Sequence, residues 1–270
     1  MYEVPVIAVL GHKDSGKTTV MEALIRRMVE EGYRVAAVKH ISRKGFSLDQ
    51  KGKDTWRHSI AGANPVISVS DKEMAIIIRD GVRGFSLNRL SRFISEADVL
   101  LLEGFSWISR DDEEIGKIIC VRNDEEYEYY KKEVKGETLA FCSFDPPSKE
   151  ILDLKKESSV IAELALEFVE RKRKIEEILN QLPGLNCGKC GYSSCEEMAR
   201  KIYEGNANLE DCRVLEARSK LRTRITIDGL EVPIQPFVSK IIYNSVMGMV
   251  SSLKGVTRKG DERIHIEISS

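Results

Sequence analysis

The stretch that decides the fold is Gly11-His12-Lys13-Asp14-Ser15-Gly16-Lys17-Thr18, which matches the phosphate-loop pattern at every fixed position. An apolar run, Val4–Leu10, precedes it, and an amphipathic helical pattern, Lys17–Glu31, follows it. The glycines let backbone N–H groups turn inward around a phosphate, and the helix N-terminus adds a favourable dipole. Lys17 is expected to neutralise the β- and γ-phosphates of a nucleotide, and the Thr18 hydroxyl to ligate Mg²⁺. The alternative is a glycine turn that binds nothing.

Short apolar runs alternate with helical patterns from this loop to about residue 145. Several runs are near-continuous in β-branched residues and leucine, as in strands that are buried on both faces. The runs are Val4–Leu10, Tyr33–Val38, Pro65–Val69, Met74–Ile78, Asp98–Leu102, Lys117–Val121 and Thr138–Cys142. The helical patterns between them are Lys17–Glu31, Asp54–Ala61 and Leu87–Glu96. This order predicts an α/β fold of the P-loop NTPase type, with a mostly parallel sheet flanked by helices. The two runs on either side of Asp71 are alternatively a local hairpin.

A carboxylate that completes the magnesium shell is expected at the end of a strand. Glu103 follows the run Asp98–Leu102. Because ligands collect at the carboxyl edge of open α/β sheets, Glu103 is predicted to meet Mg²⁺ directly or through water. Asp98 begins the same run and therefore lies at the wrong edge. The alternative for Glu103 is an exposed carboxylate that merely follows a core strand.

The composition excludes several classes of protein. Over 270 residues, 42 Lys and Arg against 43 Asp and Glu leave a formal net charge of −1. This balance argues against binding nucleic acid or anionic lipid through bulk charge. No apolar run approaches the roughly 20 residues of a membrane-spanning helix, and Met1–Leu10 lacks the order of a signal peptide. We expect a soluble, cytoplasmic protein with neither nucleic acid nor membrane as a partner.

The chain is expected to divide into four parts. Pro146-Pro147 ends the last strand of the first part. The parts are a P-loop domain at 1–147, a helical connector at 148–181, a cysteine-rich domain at 182–214 and an α+β segment at 215–270. The charged run Arg171–Lys174 in the connector is interpreted as a solvated helix face or a linker. The elements predicted in the last part are a strand pair around Thr223–Val232 with a turn at Asp228-Gly229, a helix from Phe237 to about Leu253 and a strand at Arg263–Ile268.

Four of the six cysteines share one short segment, with the spacing Cys187-x₂-Cys190-x₄-Cys195-x₁₆-Cys212. In a reducing compartment such a group indicates a metal site before it indicates disulfides. Zinc sites usually pair their ligands in two short knuckles, whereas here three ligands are close together and the fourth is distant. The pattern favours a 4Fe–4S cluster over zinc, and over disulfides or free thiols. Cys120 and Cys142 lie alone in apolar runs and are predicted to be small buried hydrophobic side chains.

The segment Lys51–Ala63, KGKDTWRHSIAGA, is dense in groups that handle phosphate. Asp54 would cap a helix there, and Arg57 would lie on the same face one turn later. Considered alone, the segment is typical of a charged helix on the surface.

Four motifs in sequence order carry a family resemblance: GHKDSGKTT from Gly11, the pair Lys39-His40, Asp49 followed by KGKDTWRHSIAGA, and ADVLLLEGF at 97–105. Together they resemble the molybdopterin-guanine dinucleotide biosynthesis protein B (MobB) family over about residues 4–145. That family is a dimeric GTP-binding adapter of the P-loop GTPase superclass, which assists the nucleotidyltransferase that joins GMP to molybdopterin. The resemblance implies GTP and Mg²⁺ as ligands, a homodimer, and that transferase and molybdopterin as partners.

The resemblance also implies roles for particular residues. Asp49, Asp54 and Glu103 are expected to serve magnesium or the γ-phosphate, and Arg57 to face the nucleotide or a partner. The predicted magnesium ligands are Thr18 and Glu103. The predicted nucleotide-binding residues are Gly11, His12, Lys13, Asp14, Ser15, Gly16, Lys17, Thr18, Thr19, Asp49, Asp54 and Arg57.

Two positions depart from the family pattern. Ser42-Arg43-Lys44 stands where the family often carries a second histidine, and the sequence has no Asn-Lys-x-Asp motif to recognise guanine. Asp145, at the end of the final strand, is a candidate acceptor for guanine N1–H and N2–H₂. The choice of GTP over ATP therefore rests on the resemblance.

The cysteine segment carries a second resemblance. Residues 182–195, with Ala199, Ile202, Gly205 and Cys212, resemble a small 4Fe–4S domain of electron-transfer complex subunits and of corrinoid iron–sulfur proteins. The combined prediction is a GTP-binding adapter in molybdenum or tungsten cofactor biosynthesis, at most a slow GTPase, whose 4Fe–4S cluster has a redox, sensing or structural role. One alternative is a nucleotide-dependent carrier or inserter of metalloclusters. The other is an iron–sulfur electron-transfer module with a P-loop docking switch.

Overall fold

The computed structural model of the protein describes residues 2, 4–79, 81, 85–219, 223–227, 229–232, 234–253 and 264–265. The chain divides into two units, Met1–Arg173 and Lys174–Ser270. Within the described ranges, no helix combines the length and the apolar character needed to cross a membrane.

A six-stranded parallel sheet forms the centre of the first unit. The strands of the described chain are β1 (Val6–Gly11), β2 (Val35–Lys39), β3 (Val66–Val69), β4 (Met74–Ile77), β5 (Val99–Glu103), β6 (Gly116–Cys120), β7 (Thr138–Ser143), β8 (Leu152–Asp153), β9 (Ile225–Ile227) and β10 (Leu230–Val232). The large sheet has the order β2-β5-β1-β6-β7-β8, and each of its ladders is parallel. The predicted α/β fold with a mostly parallel sheet is confirmed.

Helices follow most strands of this sheet, as right-handed crossovers require. The helices of the described residues in both units are α1 (Lys17–Glu30), α2 (Asp54–Ile60), α3 (Ser91–Ile94), α4 (Ser106–Ser109), α5 (Asp124–Glu133), α6 (Ser158–Gln181), α7 (Cys195–Tyr203), α8 (Arg213–Ser219) and α9 (Pro236–Ser251). The helix predicted over 87–96 is instead a 3₁₀ turn, Leu87–Leu90, that runs into the single turn of α3.

The sheet is buried on both faces because apolar residues occupy successive positions of its central strands. Ile7 and Val9 of β1 pack into one hydrophobic cluster with Leu24 of α1 and Phe168 of α6. The intervening β1 residues pack on the opposite face, in a cluster that includes Tyr127 of α5. Both faces being covered explains why these strands carry continuous apolar runs rather than alternating ones. The arrangement leaves the carboxyl edge of the sheet for the loops that follow β1, β2 and β5.

The runs on either side of Asp71 form a hairpin, as one of the two interpretations predicts. β3 and β4 pair antiparallel, with Val66 opposite Ile77 and Val69 opposite Met74, in a sheet of their own. These two runs therefore do not belong to the parallel sheet.

The charged run Arg171–Lys174 is not a freely solvated face. Lys172 Nζ lies 2.7 Å from a Glu114 carboxylate oxygen, and Arg171 pairs with Glu137. The Arg173 guanidinium lies 5.3 Å from the centre of the Tyr33 ring. The interpretation of this run as a solvated face or linker is corrected, because three of its four cations make contacts inside the first unit.

The second unit has a small core of its own around the cysteine segment. Ile175 and Leu182, at the end of α6 and just after it, pack with Met198 of α7 and with Cys212. β9 and β10 form the predicted antiparallel strand pair, and α9 matches the predicted helix within two residues at each end. Asp228 of the predicted turn, and the strand predicted at Arg263–Ile268 except for residues 264 and 265, lie outside the described residues.

Candidate functional site

The loop between β1 and α1 has the backbone shape that a phosphate-binding loop requires. Gly11 and Gly16 have φ angles of +141° and +100°, which favour glycine. A Cβ on Gly11 would lie 2.3 Å from the carbonyl oxygen of Cys120, and one on Gly16 would lie 2.5 Å from Leu154 Cδ1. Backbone packing therefore leaves no room for a side chain at Gly11, and at Gly16 a side chain would displace Leu154 and strain the backbone.

Side chains of the loop fold back onto its own backbone. The buried Ser15 hydroxyl donates to the carbonyl oxygen of His12 at 2.9 Å, and the Lys17 ammonium donates to the same oxygen. These bonds hold Lys17 across the loop, where it can meet the β- and γ-phosphates of a nucleotide. The first N–H groups of α1 lack partners within the helix, as in every helix, and are therefore available to an anion.

Three polar side chains meet beside the loop at the carboxyl edge of the sheet. Thr18 Oγ1 donates to Glu103 Oε1 at 3.0 Å, and Lys39 Nζ lies 2.7 Å from the same oxygen and 3.3 Å from Thr18 Oγ1. The strand register brings them together, because Glu103 of β5 is aligned with Lys39 of β2 on one side and with Val9 of β1 on the other. Glu103 is only 8% exposed. A hydroxyl and a carboxylate are oxygen donors of the kind that Mg²⁺ prefers.

A cavity of about 770 Å³ opens over this group. The phosphate loop lines it together with residues 39–43 at the end of β2 and beyond it, residues 103–107 at the end of β5 and beyond it, and Tyr130 and Phe144. His12 differs from the other predicted loop residues, because it does not line the cavity and its Nε2 lies 4.0 Å from Glu126 Oε1.

The other predicted nucleotide-binding residues lie away from this cavity. Asp49 is buried, accepts a 2.7 Å hydrogen bond from the Thr55 hydroxyl and pairs with Arg79. Asp54 and Arg57 lie 3.7 Å apart on α2, and their side chains are 87% and 72% exposed. Neither these residues nor Asp145 line the cavity. The structure therefore brings Thr18 and Glu103 together but does not bring Asp49, Asp54 or Arg57 to the loop.

Sequence reasoning assigned no role to several cavity residues. The sequence makes His40 no more than a candidate phosphate contact, and it gives Phe105 no role beyond the last position of a motif. Trp107 and Arg43 also line the cavity. Their position in the sequence could have identified them, because these residues follow the carboxyl ends of β2 and β5, where ligands of open α/β sheets collect.

The four cysteines of the second unit are free thiols with unequal burial. Cys212 is buried, Cys190 and Cys195 are partly buried beside the same core, and Cys187 is exposed. Cys195 begins α7, where its N–H donates to Asn186 Oδ1 at 2.8 Å, and Ser194 caps the helix. Four thiols match the donor chemistry of an iron–sulfur cluster. Nevertheless, the described residues contain no group of three His, Cys, Asp or Glu arranged to hold a metal ion.

Cys120 and Cys142 are buried, as predicted from their apolar runs. Their sulfur atoms lie 3.6 Å apart on neighbouring strands. Contact with the Cys120 thiol, together with burial, raises the pKa of Cys142. The pair consists of neutral thiols in the core rather than metal ligands.

Two family models match the chain in separate regions. Residues 6–143 match the family described as "Molybdopterin guanine dinucleotide synthesis protein B". Residues 182–214, which contain the four clustered cysteines, match the family described as "Putative Fe-S cluster". These matches confirm both resemblances that the motifs indicate.

Individual relatives agree with this division. A protein of Methanocaldococcus jannaschii named "Putative molybdopterin-guanine dinucleotide biosynthesis adapter protein" is 26% identical over 266 residues, which cover 98% of each chain. One subunit of the ion-translocating oxidoreductase complex of Rhodobacter capsulatus is 46% identical over 44 residues, which are 16% of this chain and 24% of that protein.

A solved structure described as "molybdopterin-guanine biosynthesis protein B (mobB)" is 28% identical and covers 61% of this chain and 99% of its own, with a TM-score of 0.47. The first family model takes in just over half of the 270 residues, and the chain therefore belongs to the molybdopterin guanine dinucleotide synthesis protein B family.

Proposed function

We propose that this protein is a GTP-binding adapter in molybdenum or tungsten cofactor biosynthesis, which assists the attachment of GMP to molybdopterin. The observation that carries the proposal is the group formed by Thr18, Lys39 and Glu103 beside the phosphate loop. The loop offers the phosphates of a nucleoside triphosphate a cradle of N–H groups, and Thr18 and Glu103 add oxygen donors for Mg²⁺. The family membership supplies the choice of GTP and of the pathway.

We assign the phosphate contacts to residues 11–19 and the magnesium contacts to Thr18 and Glu103. Asp49, Asp54 and Arg57 would then approach the nucleotide or a partner protein only in an assembled complex, since they do not line the cavity. The partners in this proposal are a molybdenum cofactor nucleotidyltransferase, molybdopterin and a second copy of the chain. A cytoplasmic location belongs to the same proposal.

Binding and presentation of GTP fit these residues better than rapid turnover. Fast phosphoryl transfer needs a residue that orients the attacking water and a cation that neutralises the transferred group. We assign neither role to a residue of this chain. The proposal is therefore an adapter with at most slow GTPase activity.

Cys187, Cys190, Cys195 and Cys212 are proposed to hold one 4Fe–4S cluster in a domain at 182–214, flanked by the connector at 148–181 and the segment at 215–270. All four side chains are thiols, and Cys195 is already fixed by the start of α7. When bound, such a cluster supplies either one-electron chemistry or a structural crosslink.

A second candidate function is electron transfer, which the identity with part of an ion-translocating oxidoreductase complex favours. In that case the cluster is stable and reversibly reducible. A protein that carries or inserts clusters would release its cluster to an acceptor instead. Anaerobic reduction and reoxidation, followed by transfer to an apo-acceptor, separates these two functions from each other, and nucleotide competition separates both from the adapter.

Nucleotide competition tests the main proposal directly. The full chain, purified anaerobically, is titrated with GTP against ATP in Mg²⁺, with and without molybdopterin. Preference for GTP, together with co-elution with the partner transferase, is the expected result. Preference for ATP, or no nucleotide binding, would contradict the assignment to this pathway.

A further inference from the structure

An aromatic wall, which we define as His40, Phe105 and Trp107, forms one side of the cavity. The His40 ring lies 4.4 Å from the Trp107 ring, edge to face, and 5.6 Å from Phe105. The Phe105 and Trp107 ring centres are 5.2 Å apart. Phe105 is buried, but Trp107 is 49% exposed. The half-exposed indole of Trp107 therefore lines the cavity, and the rings of His40 and Phe105 pack against it.

The backbone after β5 adopts an uncommon conformation to place this wall. Phe105 has a φ of +62°, and bulky residues seldom occupy the left-handed region. The buried Ser109 hydroxyl donates to the Phe105 carbonyl oxygen at 2.8 Å, and the His40 N–H donates to the Glu103 carbonyl oxygen at 3.0 Å. Strained residues of this kind cluster at ligand sites.

The wall lies at the γ-phosphate end of a nucleotide bound to the loop. Thr18 and Glu103 mark the magnesium position, between the β- and γ-phosphates. The wall comes from the ends of β2 and β5, which lie on that side of β1 in the sheet order. Phe144 follows β7 on the other side and lies close to Gly16. The nucleoside therefore extends toward β7, and the wall remains for another ligand.

The positive charge beside the wall suits an anionic ligand. Lys39 is engaged by Glu103. Arg43 lines the cavity and is exposed, and the structure gives it no acidic partner within the described residues. Arg43 and Trp107 line the same cavity, so a ligand stacked on the indole shares that cavity with the guanidinium.

We propose that the aromatic wall binds a second ligand, a planar nitrogen heterocycle of the pterin class with an anionic substituent, next to the γ-phosphate of the bound nucleotide. Planar heterocycles stack on indole rings, and Arg43 attracts the anionic substituent. The choice of the pterin class rests on the proposed function, whereas the position of the site rests on the cavity alone.

Equilibrium dialysis of the full chain with pterin-6-carboxylate, with and without Mg²⁺-GTP, tests the proposal. Trp107→Leu should weaken pterin binding about tenfold, since stacking on an aromatic side chain is worth about that much. GTP affinity should stay unchanged, which also shows that the variant is folded. Trp107→Tyr should restore part of the binding. Trp56→Phe, at the only other tryptophan, is the matched control and should bind normally.

The charge is tested separately with an uncharged probe. Arg43→Gln should weaken binding of pterin-6-carboxylate and leave binding of 6-methylpterin unchanged. Undiminished pterin binding in Trp107→Leu would overturn the proposal, as would no saturable binding to the native chain. Competition between GTP and the pterin would assign the wall to the nucleoside and would equally overturn it. Failure of the proposed function is distinguishable, because it would appear as loss of GTP preference while the pterin still binds.

Discussion

The phosphate loop and the cysteine segment are two candidate binding regions that differ in how far their side-chain contacts are already formed. Around the loop, Ser15, Thr18, Lys39 and Glu103 already make the contacts that shape a nucleotide site. In the cysteine segment the donors are present, but the described residues contain no group of three that could hold a metal. The comparison therefore sets a region whose polar contacts are already made against one in which the proposed donors are present but not grouped among the described residues.

The difference follows from how much core supports each region. The loop connects a fully buried strand to a helix whose Leu24 and Met28 have no exposed surface. The core of the second unit is smaller and includes a cysteine, Cys212, among its buried members. Small domains with little core commonly rely on a metal or a disulfide for stability. We therefore expect cluster binding and local folding to be coupled in residues 182–214.

The largest effect, a loss of bound iron, is expected when one of the four clustered cysteines is replaced. In Cys190→Ser, one of four ligands is lost, and most of the bound iron and sulfide should be lost with it. Hydrogen exchange should then rise in peptides from 182–214 and stay unchanged in peptides from 6–143, because the two regions have separate cores. Iron analysis and hydrogen exchange on anaerobically purified protein measure both effects.

GTP affinity in Cys190→Ser decides whether the two regions are independent. An unchanged affinity indicates that the cluster does not act on nucleotide binding. A lower affinity in a protein whose first unit still shows native exchange would show that the cluster controls nucleotide binding. Cys142→Ala, which alters a buried thiol outside the segment, should keep its iron.

The next largest effect is expected at the loop. Lys17→Ala should weaken GTP binding by at least about 30-fold, because loss of a charged partner to a phosphate costs about 2–5 kcal/mol. Isothermal titration measures this change, and iron content should be normal. Lys13→Ala removes a lysine from the same loop and should cost much less. Equal losses in both variants would show that the loop acts only through its bulk charge.

Glu103→Gln tests whether this carboxylate in the first unit serves Mg²⁺ rather than the nucleotide itself. Glutamine keeps an acceptor for the Thr18 hydroxyl but loses the charge that faces Lys39. The Mg²⁺ affinity of the GTP complex should fall about tenfold, while GTP binding in EDTA should not fall. Asp98→Asn, at the opposite end of β5 and paired with Arg34, is the control and should leave Mg²⁺ affinity unchanged. A loss of GTP binding in EDTA would give Glu103 a role other than serving the metal.

Most of the first unit could be predicted from sequence, because its strands are buried on both faces. Each of the seven apolar runs coincides with a strand to within two residues at each end, including the hairpin of β3 and β4, whereas the two-residue strand β8 was not predicted. α5 was missed because Asp124–Glu133 is almost entirely charged and aromatic. Only Tyr127, Tyr130 and Glu126 of this helix are buried, and Asn123 caps its start. A narrow aromatic stripe gives too weak a helical pattern to recognise.

The residues of the candidate site likewise fall into those that the sequence predicts and those that it does not. Thr18 and Glu103 were predictable, because motif and strand position bring them to one sheet edge. Asp49 was expected near the nucleotide, but it pairs with Thr55 and Arg79. That contact depends on where β4 ends and could not be foreseen from local pattern. His40, just after β2, and Trp107, in α4, meet only through tertiary packing.

The smallest expected effect concerns the part of the cysteine segment that is already ordered. Glu197 Oε2 accepts hydrogen bonds from the Ser193 N–H at 2.7 Å and from its hydroxyl at 2.6 Å, beside the start of α7 at Cys195. The Ser193 hydroxyl and then its N–H lower the pKa of the Glu197 carboxyl. The stability that this carboxylate contributes is therefore complete above the usual glutamate pKa of about 4.3 and is lost as the pH falls through the lower folded value.

Ser193→Ala should raise the Glu197 titration midpoint toward the usual value, as followed by carbon NMR of the carboxyl in cluster-free protein. Glu197→Gln identifies the signal, and Ser194→Ala, which removes the helix cap but no bond to the carboxylate, should leave the midpoint lower than in Ser193→Ala. A lowered midpoint without the cluster means that the chain orders Cys195 before any metal arrives. A normal midpoint would mean that the segment, including the start of α7, becomes ordered only when a cluster binds.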